Sequence, residues 1–204
     1  MTLFLLMNYL AHAFLSFNKT DILAGNIISD FVKGKAKFDY PPGIQKGIHL
    51  HRLIDSFTDN HPATAMAKSF FRPQYRLYSG AFTDVVYDHF LARDKKQFEE
   101  YGNLEIFSLN VYQSLEINFL LYPLRFKKLF PYMKSQNWLY NYRLKEGIQR
   151  SFEGLAYRAV YLNESAIAFE IFNQYYHELE NCYLNFFPEL KKFASNNISN
   201  LLAD

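Results

Sequence analysis

The run PPGIQKGIHLHRLIDSFTDN spans Pro41 to Asn60. Proline is tolerated in the first turn of a helix, so Pro41-Pro42 opens one, and the spacing predicts that it continues to about Asp59. Residues four apart on a helix lie about 40° apart around its axis, so His51, Asp55 and Asp59 share one face. His49 lies about 160° from His51, so one regular helix cannot aim both at the same point. His61-Pro62 marks the next boundary.

The same reading extends in both directions. Tyr9, Leu10, Ala13 and Phe14 have helical spacing, Asn18-Lys19-Thr20 breaks that helix, and Thr20 is placed to cap a second over Asp21 to Val32. Gly34 and the lysines around it end the second. A fourth helix runs to about Phe71, with a connection from Pro73, and a fifth carries Phe82 to Arg93. Beyond Gly102 the pattern predicts helices over Leu104 to Leu121, Trp138 to about Tyr161, and Ser165 to Phe187, with Pro188 near the end of the last. No segment shows strand alternation between hairpin turns, and no repeat or linker interrupts the chain. The expectation is an all-α fold, a single multi-helix domain over residues 1–204 with a long C-terminal helical half.

A chain of 204 residues with 50% hydrophobic and 21% charged residues can bury a substantial core without staples. Aromatic residues make up 19%, which fits a bulky helical core better than a partner surface. A net charge of +2 gives no reason to expect nucleic acid as a partner, although Lys33, Lys35 and Lys37 cluster, as do Arg125, Lys127 and Lys128. One cysteine, Cys182, excludes an internal disulfide and fits a buried thiol in a reducing compartment. Met1 to Phe17 lacks a basic leader region, is too short to span a membrane and is interrupted by Asn8 and His12, so a cytoplasmic protein without membrane contact is expected. Met7 is an alternative start.

Chemistry concentrates early. Of six histidines, five (His12, His49, His51, His61 and His89) fall in the first 90 residues, among Asp30, Asp55, Asp59, Asp84 and Asp88. Imidazole and carboxylate together suit divalent metals. Asp84 and Asp88 share one face of the fifth helix, with His89 about 100° round from Asp88. Packed against the His51 face, they would bring four or more ligands together, and Asp30 and His12 could join them. His49 is left to bind substrate or to serve structurally, and Arg52 to hold a phosphate oxygen. His61 reads as a turn residue and His177 as surface. A lone Asp is more often a cap and a lone His a satisfied structural group, so spacing alone leaves a metal site and a structural set both open. No phosphate loop, Cys-x-x-Cys pair or nucleophile elbow is present, while Asn26, beside Gly25, is placed to support a site.

Several motifs carry a resemblance. These are Met7-Asn8-Tyr9-Leu10-Ala11-His12, Gly25-Asn26-Ile27-Ile28-Ser29-Asp30-Phe31, Gly47-Ile48-His49-Leu50-His51-Arg52-Leu53-Ile54-Asp55, Thr58-Asp59 and Asp84-Val85-Val86-Tyr87-Asp88-His89-Phe90-Leu91. In order and spacing they resemble the acyl carrier protein phosphodiesterase family, with looser similarity at Trp138 to Arg143 and Phe187-Pro188. The resemblance implies an all-helical relative of the HD-type phosphohydrolases that uses Mn2+, with Fe2+ or Mg2+ as alternatives. It implies hydrolysis of the phosphodiester between 4'-phosphopantetheine and a serine of holo-acyl carrier protein. One departure is that the dipeptide here is Asp88-His89, not His-Asp.

On this reading the metal ligands come from His12, His51, Asp55, Asp84, Asp88 and His89. Asp30 or Asp59 activates water, and Arg52 offsets phosphate charge. His49 touches substrate, and Lys33, Lys35, Arg72 and Arg76 guide the acidic carrier. A nucleotide phosphohydrolase and a non-catalytic carrier binder are the competing functions. Oligomeric state is not legible.

Overall fold

The computed structural model describes residues 9–158 and 165–203, and the expectation of an all-α protein holds: those residues form helices and turns with no strand among them. The N-terminal helices are α1 (Tyr9–Phe14), α2 (Thr20–Ile28), α3 (Pro42–Asn60), α4 (Pro62–Tyr75) and α5 (Ser79–Arg93). The others are α6 (Leu104–Ile117), α7 (Leu124–Ser135), α8 (Trp138–Asn141), α9 (Lys145–Arg158), α10 (Ala166–Gln174) and α11 (Tyr176–Ala203). Short 3-10 turns at Ser29–Phe31, Gly34–Asp39 and Phe119–Leu121 punctuate the bundle.

α5 is the axis. All its residues from Ala81 to Ala92 are buried, so it presents no solvent face, and α1, α4, α9 and α11 pack around it. α2 and α3 approach most closely at a pair of glycines. A Cβ on Gly25 would overlap the Ile44 carbonyl and sit 2.8 Å from Gly47 Cα, so only glycine permits this crossing. Aromatic rings fill the C-terminal half: Phe172 meets Phe152 and His89 edge-on, and Tyr183 stacks on Phe187.

Several predicted boundaries move. Thr20 begins α2 without capping it, because the N-cap is Lys19 and no side-chain cap bond forms. The second helix ends at Ile28 and tightens into the Ser29–Phe31 turn. α4 continues past Pro73 to Tyr75, where Arg76 adopts a left-handed φ of 45°. The predicted Trp138–Tyr161 helix breaks after Asn141, and the part of it beyond residue 158 lies outside the described residues, as does the Met1 or Met7 question. α11 runs through Pro188 to Ala203, its buried apolar residues Phe186, Phe187, Leu190, Ala194 and Ile198 outweighing one lost backbone bond. The long C-terminal helix therefore covers the core, Phe193 stacking on Phe57 at 4.6 Å between ring centroids. No helix among the described residues is long and apolar enough to cross a membrane.

Candidate metal centre

Two helices bring His12 (α1), His51 and Asp55 (α3) together, with ligand atoms all within 4.8 Å of one another. The close α2–α3 crossing makes this possible by presenting Asn26, one residue after Gly25, to both imidazoles. Its side-chain amide nitrogen donates to the His12 carbonyl at 2.9 Å and to Ser16 Oγ at 3.1 Å, so its Oδ1 is the acceptor for His12 Nδ1–H at 2.6 Å. Its backbone carbonyl accepts from His51 Nδ1–H at 2.7 Å. Both rings are therefore pinned with Nε2 facing inward, stacked with centroids 4.0 Å apart. One asparagine sets two tautomers.

Both Nε2 atoms are buried without a hydrogen-bond partner. His12 Nε2 lies 3.3 Å from Asp55 Oδ1, and His51 Nε2 lies 3.1 Å from Asp55 Oδ2 and 3.4 Å from Asp30 Oδ1. These are ion-pair distances without hydrogen-bond geometry. Two inward lone pairs beside two carboxylates repel unless a proton or a cation lies between them. Burial lowers the His51 imidazole, but Asp30 and Asp55 together outweigh it and raise it to about 10. His12, more deeply buried and beside His51, is lowered. Burial pushes the Asp55 carboxyl up, yet the two histidines hold it well below the usual carboxylate range. The negative charge that draws a proton to His51 would equally draw a divalent cation, so proton and ion compete. The side chains of Asp55 and Asp30 are 26% and 22% exposed, which opens the centre on their side.

Asp84 is buried near the cluster. Burial and then the Asp55 charge push its carboxyl well up, and Lys68 pulls it down. Lys68 is a cation that sequence reasoning passed over. Its stem packs over Gly80 of α5, its side chain is only 14% exposed, and its Nζ donates to Asp59 at 2.7 Å. No motif surrounds it, so only its burial reveals it.

The structure does not bring Asp88 and His89 into the cluster. Asp88 Oδ2 and Oδ1 accept the backbone N–H groups of Leu10 and Ala11 at 2.9 and 2.8 Å, so both oxygens anchor the start of α1, the helix that carries His12. Burial raises the Asp88 carboxyl, against those two amides. His89 Nδ1–H donates to the Tyr142 carbonyl at 2.7 Å, and its Nε2 accepts from Tyr176 at 3.0 Å, tying α5 to the C-terminal half. Burial lowers it to about 4, which keeps the ring neutral.

Other candidates lie away from the cluster. His49 and Arg52 are exposed on the other side of α3, and Asp59 is an exposed partner of Lys68. Lys33 and Lys35 are exposed just after Asp30, whereas Arg72 and Arg76 are exposed at the end of α4. His61 caps α4 by accepting from the Ala63 N–H, and His177 is a surface residue, as expected. Cys182 is buried, and burial raises its thiol.

A sequence profile described as acyl carrier protein phosphodiesterase matches residues 7–190. The chain belongs to the acyl carrier protein phosphodiesterase family. A member from Klebsiella pneumoniae (strain 342) is 34% identical over 190 residues, covering 93% of this chain and 98% of its own. A Yersinia pestis member has the same identity and coverage, and an Escherichia coli O6:H1 member is 33% identical over 189 residues. All three are named acyl carrier protein phosphodiesterase. No solved structure matches the chain. The family match spans every helix that builds the cluster, as well as most of the aromatic half.

Proposed function

We propose that this chain is a metal-dependent phosphodiester hydrolase that releases 4'-phosphopantetheine from holo-acyl carrier protein in the cytoplasm, leaving the apo-protein. The observation that carries the reading is the pair of buried, unpartnered Nε2 atoms facing Asp55 and Asp30, in a chain whose relatives are named for this reaction. The donor set fits a divalent ion: His12, His51 and Asp55 would hold it, with the buried Asp84 nearby. Mixed imidazole and carboxylate favour Mn2+, with Fe2+ or Mg2+ as alternatives. When bound, the ion supplies Lewis acidity toward phosphoryl oxygen and water.

The chain's own residues do the rest. Asn26 keeps the protons of both histidines on Nδ1 and so leaves Nε2 as the donor atom. Asp30, 3.4 Å from His51 Nε2 and partly open to solvent, is better placed than Asp59 to take the proton of the attacking water. Water oxygen bonds to phosphorus as its proton passes to Asp30, the bond from phosphorus to the carrier serine oxygen breaks, and that oxygen takes a proton from solvent, to which Asp30 returns its own. Lys68, whose charge acts on the buried Asp84, would offset phosphate charge in place of the exposed Arg52.

The test is intact mass. Metal-stripped protein is mixed with holo-acyl carrier protein and Mn2+, and the carrier is weighed. Loss of one phosphopantetheine mass that needs Mn2+ and disappears in Asp55→Ala is the expected result. Folded, metal-bound protein that leaves the carrier unchanged but cleaves a nucleotide would transfer the chain to the wider phosphohydrolases. A tight carrier complex that forms without metal and without release would make it a binder.

A further inference from the structure

Residues 117–124 form an unusual surface. Ile117, Leu120, Leu121 and Leu124 are 72, 85, 46 and 68% exposed, four large aliphatics within eight residues. Elsewhere exposed apolar groups stand singly, as Leu77 and Tyr157 do, or as the pair Ile106 and Leu109, which needs no explanation, whereas a cluster of four does. The cluster is held firmly from beneath. Tyr122 packs edge-on to Phe126 at 5.2 Å and Phe126 against Phe130 at 5.7 Å, while Lys127 Nζ donates to the Leu120 carbonyl at 2.7 Å. Asn118 donates to Asp21 at 3.1 Å, tying the turn to the start of α2. The leucines are thus displayed on an anchored platform.

Two further features give the surface a direction. From Ile117 to Met133 the charges are all positive, namely Arg125, Lys127 and Lys128, while the acids at its border are paired, Glu116 with Lys134 and Asp21 with Asn118. It also adjoins the candidate metal centre, because Phe31, next to Asp30, packs on Phe126 with centroids 5.5 Å apart. The turn Gly34–Asp39 that follows adds Lys35, Lys37 and a Phe38 that is 63% exposed, with one acid, Asp39, at its end.

We propose that residues 117–128, together with the Gly34–Asp39 turn, are the docking face for the carrier protein. The leucines would cover an apolar stripe on an acidic helix of the partner, and the cations would flank it. The proposal rests on the reading above, that the scissile phosphodiester arrives attached to a protein. A second copy of this chain fits poorly, since a two-fold contact would set Arg125, Lys127 and Lys128 against their own copies. Anionic lipid would satisfy the charge, but it gives no reason for the face to border the hydrolytic centre. Arg72 and Arg76 lie outside this surface, on another helix.

The experiment compares wild type, Leu120→Glu/Leu124→Glu and Lys128→Glu on holo-acyl carrier protein and on bis(4-nitrophenyl) phosphate. All three positions are exposed, and Mn2+ affinity and circular dichroism report that the fold is kept. The leucine variant should raise KM for the carrier at least about tenfold while leaving kcat and small-diester hydrolysis unchanged. Lys128→Glu should raise KM less and flatten its dependence on salt. Unchanged KM in both variants overturns the docking face. So does an equal loss on both substrates, which would make the segment a support of the centre. Binding to phosphatidylglycerol vesicles, or a wild-type dimer, that is lost in the leucine variant without a KM change assigns the face to membrane or to self-association and overturns it too. If wild type cleaves the small diester but never the carrier, the underlying functional reading fails first, and the docking face falls with it.

Discussion

The two halves of the molecule bury different chemistry. Apart from tyrosines and Cys182, every buried polar or charged side chain among the described residues but one lies between His12 and His89, the exception being Ser108. The half beyond residue 100 buries Phe107, Phe126, Phe130, Phe152, Phe172, Phe186 and Phe187 instead. Burying an imidazole or a carboxylate costs free energy that a phenyl ring does not. Part of that cost is carried where His12, Asn26 and His51 converge on one centre, and part where Asp88 and His89 tie α1 and the C-terminal half to α5. The aromatic half supplies the packing that holds the convergence rigid, joining it through His89 and through Phe193 on Phe57.

That contrast can be broken most severely at the centre itself. His51→Ala or Asp55→Ala should abolish Mn2+ binding in calorimetry and cut turnover by more than about 100-fold, beyond the ~10–100-fold typical of outer partners. Asn26→Ala touches no ion but removes the side-chain acceptor that pins His12, while the backbone carbonyl still holds His51, so a loss of about 10–100-fold in Mn2+ affinity and activity is expected. Gly25→Ala should also lower Mn2+ affinity, by forcing α2 off α3, and should cost roughly 1–3 kcal/mol in urea unfolding. If Asn26→Ala binds Mn2+ like wild type, the pinned-tautomer account is wrong.

The aromatic half should respond the other way. Phe172→Leu leaves a void in a fully buried position. It should cost about 1–2 kcal/mol of stability while Mn2+ affinity and turnover well below the melting temperature stay near wild type. A comparable loss of turnover would erase the division of labour between the halves.

A pH-dependent effect sits at their junction. The folded chain keeps His89 neutral down to about pH 4, against an ordinary value of 6.5. Between those values the unfolded chain binds the extra proton, so stability is full above pH 6.5 and falls as the pH drops toward 4, by at most about 1.4 kcal/mol per unit. His89→Gln should flatten that part of the stability profile measured by urea unfolding. An unchanged slope would show that other groups carry it.

Much of this was legible in the chain itself. The helix from Pro41-Pro42 to about Asp59 and the one over Phe82 to Arg93 are present as α3 and within α5, and the pairing of His51 with Asp55 follows from a four-residue step. His12 and Asp30 were identifiable as residue types suited to a metal, and Asn26 as a support. Asp88 and His89 were misread as ligands because they share their helix with Asp84. Lys68 escaped notice because a lysine on an ordinary helix carries no pattern. The breaks at Asn141 and the run of α11 through Pro188 turned on how much apolar surface each segment could bury, which local propensity does not record.

The sequence by itself determined which residues could do chemistry and how each points around its own helix, because helical periodicity is a local property of the backbone. Tertiary structure alone decided which of them meet. The Asn26–His51 and Leu10–Asp88 bonds join residues 25 and 78 positions apart, across helix pairs whose approach depends on packing. The missing side chains of Gly25 and Gly47 let two backbones touch and set that approach on α3. Around α5, one carboxylate faces the centre while its neighbour a turn away anchors the helix beside it.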